Sequence, residues 1–298
     1  MEALTESEKQ RLHAATTSHT LCLRDGTNVP CLGQGTWHMG ERPEKVAQES
    51  ATLRLGVELG QTLIDTAEMY GEGGAERVVG KAVAGIRESV FLVSKVYPYN
   101  AAMPNLQKHC EESLRRLHTD YLDLYLLHWR GNIPLAETVE GMERLVEQGR
   151  ILRWGVSNFD RKDMEELFSV PGGEHCAANQ VLYHLGSRGV EYSLLPWMRR
   201  NGVALMAYCP LAQAGRLRED LAGHPAVEKI AAAYGVRPLQ VVLAWCLRMG
   251  ALAIPKASQE AHAVQNAQAG ALALTDGEMA ELSAAFPAPS RELPLDLQ

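Results

Sequence analysis

Four polar residues have side chains that together could transfer a proton to a carbonyl oxygen. Asp65 ends a short apolar run and Tyr70 follows it closely, while Lys95 and His128 each end another apolar run. A free tyrosine has a pKa of about 10 and is a weak acid at neutral pH. A lysine nearby favours the phenolate, and an aspartate bonded to that lysine would keep it charged and in place. Tyr70 could then protonate a substrate oxygen that His128 orients, as hydride reaches the carbonyl carbon.

Each of these residues, taken alone, also has an ordinary structural interpretation. A lone lysine or aspartate at a strand end is more often a paired or solvated charge. A lone histidine after a strand is usually a buried residue with its hydrogen bonds satisfied, and Tyr70 alone could be a packing aromatic. The chemical interpretation therefore depends on all four residues following neighbouring strands.

The elements that must position these residues are apolar runs separated by amphipathic stretches. Eight runs are predicted as buried parallel strands, at residues 32–33, 62–65, 90–95, 122–128, 154–157, 177–181, 204–208 and 251–255. Helices are predicted between them at residues 44–59, 105–117, 135–148, 187–201 and 225–234. Eight strands alternating with helices, without a glycine-rich fingerprint after the first strand, favour an α/β fold of the (β/α)8 TIM barrel type over an open sheet.

The N-terminal part of the chain differs from the repeating pattern. Residues 1–20 are acidic and polar at first and are expected to form a flexible extension. A β-hairpin is predicted next, with its turn at Asp25 and Gly26. No linker or low-complexity segment divides the rest of the chain, so residues 21–298 are expected to form a single barrel domain.

Charge and cysteine content narrow the class of protein. The formal net charge of −7 disfavours binding to the phosphate backbone of nucleic acid. The six cysteines form no C-x-x-C pair, which indicates reduced thiols rather than a zinc site or disulfides. There is no signal-peptide pattern, and no apolar run reaches the roughly 18 residues of a membrane span. We therefore expect a cytoplasmic protein without a membrane or nucleic-acid partner.

With these features the sequence resembles the aldo-keto reductase superfamily over nearly its whole length. The Asp-Thr-Ala-x-x-Tyr-Gly stretch at 65–71 is similar to the family's signature. Further similarities occur in the family's order: Lys95, Leu-Leu-His at 126–128, Gly-Val-Ser-Asn at 155–158, Asn-Gln at 179–180 and Ile-Pro-Lys at 254–256. The stretches 33–37 and 210–216 add a likeness to bacterial members that reduce methylglyoxal and related small aldehydes.

The resemblance implies roles for individual residues. Tyr70 would be the general acid, Lys95 and Asp65 would tune it, and His128 would orient the substrate. Residues implied in holding the nicotinamide are Ser157, Asn158 and Gln180 at its carboxamide and Tyr208 against its ring. The loop at 209–216 would cross the pyrophosphate, with Pro210, Leu211, Gln213 and Arg216 as candidates. An ordinary strand-to-helix loop explains any single residue of that loop equally well.

The choice of cofactor depends on the residues after the last predicted strand. The resemblance implies that Lys256 and Ser258 hold the 2′-phosphate of NADPH and that Gln265 and Asn266 lie at the adenine. Ser258 could instead be a helix N-cap. The family commonly has an arginine where this chain has His262, so the bidentate phosphate clamp is missing. The sequence therefore favours NADPH, with NADH accepted more weakly.

The substrate pocket is expected to have aromatic walls. Trp37, Tyr97 and Trp129 follow the first, third and fourth predicted strands, and Leu185 is a further candidate. Each aromatic is equally compatible with core packing. The loop after His128 and the C-terminal tail are both short, which indicates an open site better suited to short aldehydes than to steroids. By resemblance the protein is expected to be a monomer.

The sequence thus predicts an NADPH-dependent oxidoreductase that reduces small aldehydes and ketones such as methylglyoxal to alcohols. Two other classes remain open. Some proteins that resemble these reductases bind the cofactor tightly and serve as redox sensors on a membrane channel. A metal-dependent barrel hydrolase is disfavoured because no H-x-H or H-E-x-x-H pair is present, and no metal is expected. Cys209, beside the predicted nicotinamide site, is a candidate oxidation-sensitive thiol.

Overall fold

The computed structural model describes residues 4–297, in which eight parallel strands lie side by side in chain order. The strands that precede the barrel are β1 (Thr20–Cys22) and β2 (Asn28–Pro30), paired as an antiparallel hairpin. The barrel strands are β3 (Gly33–Gly35), β4 (Leu63–Asp65), β5 (Phe91–Val96), β6 (Leu124–Leu127), β7 (Trp154–Ser157), β8 (Ala178–Leu182), β9 (Ala204–Tyr208) and β10 (Leu252–Ala253).

Helices follow most of these strands and cover the outside of the barrel. They are α1 (Glu6–Thr17), α2 (Val46–Glu58), α3 (Gly74–Ala82), α4 (Asn105–Leu117), α5 (Leu135–Glu147), α6 (Arg161–Ser169), α7 (Leu194–Arg200), α8 (Arg216–Ala222), α9 (Pro225–Tyr234), α10 (Pro238–Arg248), α11 (Glu260–Ala269) and α12 (Asp276–Ala285). The predicted (β/α)8 barrel with an N-terminal hairpin is confirmed.

The first and last barrel strands meet through backbone contacts that require glycine. Parallel bridges join Leu32 to Ala253 and Gly35 to Lys256. A Cβ atom on Gly35 would lie 2.7 Å from the carbonyl oxygen of Ile254, closer than real Cβ atoms come to a neighbour. The absence of a side chain at this position therefore allows β3 and β10 to approach, which brings Lys256 to the rim of the barrel.

The N-terminal segment is more ordered than the sequence suggested. Residues 6–17 form α1, so the expectation of a flexible extension is wrong for them, while residues 1–3 lie outside the described part of the chain. The helix begins with a capping box, because the Thr5 hydroxyl accepts from the Glu8 backbone and the Glu8 carboxylate accepts from the Thr5 N–H at 2.8 Å.

One buried leucine attaches this helix to the barrel. Leu12 packs in a small cluster with Leu59, Val264 and Ala267, which belong to the end of α2 and to α11. Burial of a leucine side chain contributes about 1.5–3 kcal/mol. Docking on the barrel therefore stabilises α1, whose own sequence is mostly polar.

Two further features concern the chain between residues 4 and 297. No disulfide joins its cysteines, and four of the six are buried. No single helix between residues 4 and 297 is long and apolar enough to cross a membrane. Taken together, α9 and α10 have the length and composition of a membrane span, but the pair is bent by 94°.

Candidate functional site

Three neighbouring strands bring Asp65, Tyr70, Lys95 and His128 to the C-terminal end of the barrel. Asp65 ends β4, Lys95 lies near the end of β5, and His128 directly follows β6. Lys95 is fully buried, and its Nζ donates to Asp65 Oδ2 at 2.7 Å and to Tyr70 Oη at 3.1 Å. Three members of the predicted tetrad are thus hydrogen-bonded to one another, and all four lie at the end of a barrel where catalytic residues of this fold are found.

Burial and charge act in opposite directions on the Tyr70 phenol. Burial raises the pKa of Tyr70 above its ordinary value, and the positive charge of Lys95 lowers it in part. For Lys95 itself, burial lowers the pKa, but the charge of Asp65 and the hydrogen bonds to Asp65 and Tyr70 outweigh burial and the pKa is raised. Tyr70 is therefore protonated at neutral pH and lies beside a permanent cation, as a proton donor to a carbonyl oxygen requires.

His128 is a neutral imidazole beside this phenol. The His128 and Tyr70 rings are 5.8 Å apart between centroids and meet edge to face. Burial, together with the charge of Lys95, holds the pKa of His128 well below its usual range. Its Nδ1 is buried and makes no hydrogen bond within the described structure. A neutral ring can donate a hydrogen bond to a substrate oxygen without adding a second cation to the site.

The residues predicted at the nicotinamide form a hydrogen-bonded set across the barrel mouth. Gln180 donates from Nε2 to Asp65 Oδ1 at 2.7 Å, so β8 is joined to the tetrad. Ser157 donates to the Gln180 carbonyl at 2.8 Å, and Asn158 donates to the His128 carbonyl at 3.3 Å. Tyr208 donates from its hydroxyl to Asn158 Oδ1 at 2.9 Å. All four predicted residues therefore form one hydrogen-bonded set with Asp65 and the His128 backbone.

The predicted adenosine residues lie after β10 and along α11. Lys256 is at the rim, where burial lowers the pKa of its ammonium and Glu49 and Glu41 partly oppose that effect. His262 is exposed, and Gln265 is half-buried with its backbone carbonyl bonded to Gln240. Asn266 has a buried Nδ2 atom with no hydrogen-bond partner in the described structure. An unsatisfied buried donor fits a position where a polar ligand supplies the acceptor.

The N-cap interpretation of Ser258 is wrong. Helix α11 begins at Glu260, its N-cap residue is Gln259, and no side chain caps it. Ser258 precedes the cap and is half-buried, so its hydroxyl makes no capping bond and its predicted role toward a phosphate stays open.

The loop at 209–216 runs from β9 to α8 over the same end of the barrel. The Pro210 carbonyl accepts from the buried Cys246 thiol, and Leu211 packs against the core. Gln213 is half-buried. The Arg216 side chain is almost fully exposed and lies 3.6 Å from Asp220. Among residues 4–297 no hydrogen bond or ion pair joins the Arg216 side chain to the barrel, so the structure does not fix its position toward a cofactor.

Burial argues against a reactive thiol at position 209. It raises the pKa of Cys209 to about 11. Because the thiolate is the reactive form, a cysteine with this pKa reacts slowly at neutral pH. The structure therefore does not support Cys209 as an oxidation sensor.

Aromatic rings line the outward path from the tetrad. The Trp129 ring lies 5.0 Å from the His128 ring and 5.7 Å from the Tyr97 ring. Trp37 and Trp129 are 37% and 36% exposed, as residues at an open mouth would be. Leu185 is fully buried, so the expectation that it forms a pocket wall is wrong.

Sequence reasoning missed two aromatic neighbours of this path. Tyr99 stacks on Tyr97 with ring centroids 4.8 Å apart and is 65% exposed, and His38 stacks on Trp37 at 4.3 Å. Both are adjacent or nearly adjacent in sequence to a predicted pocket residue. An alternation of aromatics after β5 was the available signal. Among residues 4–297 no group of three or more His, Cys, Asp or Glu could hold a metal ion.

Comparison with known proteins gives consistent results. The model of the Aldo/keto reductase family matches residues 31–286. Methylglyoxal reductase YeaE of Escherichia coli K12 is 56% identical over 271 residues, which cover 91% of this chain and 95% of that protein. Crystal structures of a Klebsiella pneumoniae aldo-keto reductase, one with NADP and acetate and one with NADPH, are 54% identical with a TM-score of 0.91. They cover 94% of this chain and 99% of theirs.

Proposed function

Because the chain belongs to the aldo/keto reductase family and is an oxidoreductase, we propose that it reduces small aldehydes and ketones, methylglyoxal among them, with NADPH. The contact of Tyr70 Oη with the buried Lys95 Nζ at 3.1 Å carries this proposal. It provides a proton donor at the point where a developing alkoxide would need one.

The described residues divide the work of the reaction. Tyr70 gives its phenolic proton to the carbonyl oxygen, and Lys95 stabilises the phenolate that remains. His128, as a neutral donor, holds the same oxygen in line. Asp65 holds Lys95 in place and is itself fixed by Gln180 from across the barrel. NADPH, when bound, supplies the hydride.

The proposed cofactor site combines polar residues of several loops. Ser157, Asn158 and Gln180 would hold the nicotinamide carboxamide, with Tyr208 against the ring. Toward the other end of the cofactor, the proposed contacts are Pro210, Leu211, Gln213 and Arg216 at the pyrophosphate, Lys256, Ser258 and His262 at the 2′-phosphate, and Gln265 and Asn266 at the adenine. With His262 in place of a guanidinium, we propose that NADH is accepted more weakly rather than rejected.

The aromatic mouth supports a small carbonyl substrate. Trp37, Tyr97 and Trp129 offer apolar faces close to the tetrad, and α5 begins only a few residues after His128, so no long lid covers this side. We propose a monomeric cytoplasmic enzyme that acts on free aldehydes. The E. coli relative carries methylglyoxal in its name, which supports this substrate class.

The decisive experiment follows NADPH absorbance with methylglyoxal and a panel of small aldehydes. The native protein should oxidise NADPH only when substrate is present. Tyr70→Phe should lose at least about 100-fold in kcat, the contribution of a general acid, while its Kd for NADPH stays unchanged. Tyr192→Phe is the matched control, because Tyr192 is a half-exposed tyrosine at the end of the turn Gly189–Glu191 and takes no part in the bonds of the tetrad. Tight NADPH binding without turnover of any aldehyde would refute the proposal and favour a redox-sensor role.

A further inference from the structure

A buried carboxylate in the loop that carries Tyr70 has no part in the chemistry described above. Glu68 lies between Asp65 and Tyr70, and its side chain is 6% exposed. Its Oε1 accepts from the Tyr97 backbone N–H at 2.8 Å and, at the longer distance of 3.5 Å, from Asn100 Nδ2. Its Oε2 lies 2.7 Å from His109 Nδ1. A carboxylate removed from water needs such partners, since an unpaired one would be strongly destabilising.

The partners of Glu68 belong to the segment that leaves β5. Tyr97 comes two residues after Lys95, and His109 lies in the first half of α4. The Glu68 backbone N–H also donates to the Lys95 carbonyl at 3.3 Å. Glu68 therefore connects the Tyr70 loop to the Lys95 strand at two points, one through its backbone and one through its side chain.

The connection through Glu68 joins the same two segments as the contact between Tyr70 Oη and Lys95 Nζ, on which the proposed proton transfer depends. The Tyr70 phenol reaches Lys95 from the loop that Glu68 attaches, and the Glu68 carboxylate bonds to Tyr97 and His109 rather than to a side chain of the tetrad. An apolar residue at this position would leave the Tyr97 N–H and the His109 ring without their acceptor. The backbone bonds from Thr66 to Val93 and from Glu68 to Lys95 would remain, as would the bond of Lys95 Nζ to the Thr66 carbonyl. The part of the loop between Glu68 and Tyr70 would lose its side-chain attachment, and the distance between Tyr70 Oη and Lys95 Nζ would be less defined.

We propose that Glu68 is a positioning residue: its hydrogen bonds to Tyr97 and His109 set the position of the Tyr70 phenol against Lys95. The inference rests on the proposed function, in which Tyr70 is the proton donor. It assigns Glu68 no contact with substrate or cofactor. Its effect should appear in kcat and in the ionisation of Tyr70, and leave cofactor affinity unchanged.

Two substitutions at this position separate hydrogen bonding from charge. Glu68→Gln can keep both bonds, since its amide oxygen accepts from the Tyr97 N–H and its amide nitrogen can donate to a neutral His109. Glu68→Ala removes both. Glu72→Ala is the matched control, because Glu72 is an exposed glutamate of the same loop. The thermal midpoint and NADPH Kd of each full-length variant are measured first, to compare folded proteins.

The expected result is a loss of about tenfold in kcat for Glu68→Ala, smaller than the roughly 100-fold that a 1 Å misplacement can cost. Glu68→Gln and Glu72→Ala should stay within about twofold of native. Because Lys95 lowers the pKa of Tyr70, loosening their contact should move the basic limb of the kcat profile to higher pH in Glu68→Ala only. A merely structural role would change the thermal midpoint without moving that limb. Native kcat in Glu68→Ala, or equal losses in the alanine and glutamine variants, would overturn the proposal.

A second readout keeps this test independent of the proposed function. The tyrosinate absorbance of each protein is titrated, and the curve of the corresponding Tyr70→Phe background is subtracted to isolate Tyr70. A higher pKa of Tyr70 in Glu68→Ala, with no change in Glu68→Gln, supports positioning even if no aldehyde is reduced. An unchanged pKa of Tyr70 in Glu68→Ala would overturn it, whereas the absence of turnover in the native protein overturns only the proposed function.

Discussion

At the scale of single residues, the site depends on one fully buried ion pair. Lys95 and Asp65 are both removed from water, and their 2.7 Å contact is completed by Tyr70, Thr66 and Gln180. Buried pairs of this kind contribute little net stability when intact, but loss of one partner leaves an uncompensated charge. The stability and the chemistry of the protein therefore depend on the same atoms.

This dependence predicts the effect of Lys95→Met. The variant should lower the free energy of unfolding by about 3–5 kcal/mol, because the Asp65 carboxylate is left buried without its cation. Urea unfolding measures the change. The double variant Lys95→Met/Asp65→Leu should recover most of that stability while remaining inactive. If the single variant is as stable as the native protein, the pair is not effectively buried in solution.

The neutral His128 predicts a pH profile. The pKa of His128 lies well below its usual range, so the ring stays uncharged throughout neutral and mildly acidic solution. The kcat/KM for reduction should therefore show no ionisation near about pH 6.5, the ordinary histidine value. Steady-state assays at constant ionic strength across that range test this. A break in the profile centred near the ordinary value would show that His128 titrates normally.

The same shift has a consequence for stability, with a definite sign. The unfolded chain binds a proton at this histidine more readily than the folded protein does. The contribution of His128 is therefore fully present above the unfolded pKa and is lost as the pH falls from there toward the lower folded pKa. Acid should promote unfolding through this residue.

At the scale of elements, the sequence predicts best where a short strand ends in a polar residue. The predicted bounds match the structure to the residue for the strands Trp154–Ser157 and Ala204–Tyr208 and for the helices Asn105–Leu117 and Pro225–Tyr234. Buried parallel strands appear in a sequence as apolar runs that end abruptly, so their positions can be predicted from the sequence. The prediction for β10 is too long, because only two residues between 251 and 255 pair as a strand.

The elements that the sequence misses depend on contacts between distant parts of the chain. Helix α1 buries only Leu12 and Thr16, so its sequence shows no apolar stripe from which a helix could be predicted. The pair Thr5 and Glu8 has the spacing of a capping box and was the available signal. In the sequence Glu68 looks like an ordinary loop glutamate, because its partner His109 is 41 residues away and approaches it only when α4 packs against the barrel. Which residues of the 209–216 loop meet a ligand likewise depends on backbone geometry that no local pattern encodes.

The docking of α1 predicts an effect on cofactor affinity. Leu12→Ala should destabilise the protein by about 2 kcal/mol, because it opens a gap against α11. Since α11 carries the proposed adenine residues Gln265 and Asn266, the Kd for NADPH should rise while kcat at saturation stays native. Fluorescence titration and steady-state kinetics measure the two effects. Gln10→Ala is the control, because Gln10 is exposed on the same helix and does not line the cavity beside Gln265. A native Kd in Leu12→Ala would refute the coupling.

At the scale of the whole molecule, two separate sets of residues meet at one end of the barrel. The proposed acid–base group lies at the ends of β4, β5 and β6, with Gln180 of β8 reaching across to Asp65. The aromatic mouth and the 209–216 loop lie outside that group, on segments that connect strands to helices. The protein has a net charge of −7, yet Lys256 lies at the rim of the barrel, where an anionic cofactor would need a cation.

The bond between Gln180 and Asp65 has a consequence for how this kind of protein can diversify. Because it ties opposite sides of the barrel together beneath the mouth, the ion pair of Asp65 and Lys95 is held by the strands and not by the loops above it. Mutations that change the side chains of the mouth can accumulate without moving this ion pair. Selection can therefore alter which carbonyl compounds enter while the reaction performed on them is inherited unchanged.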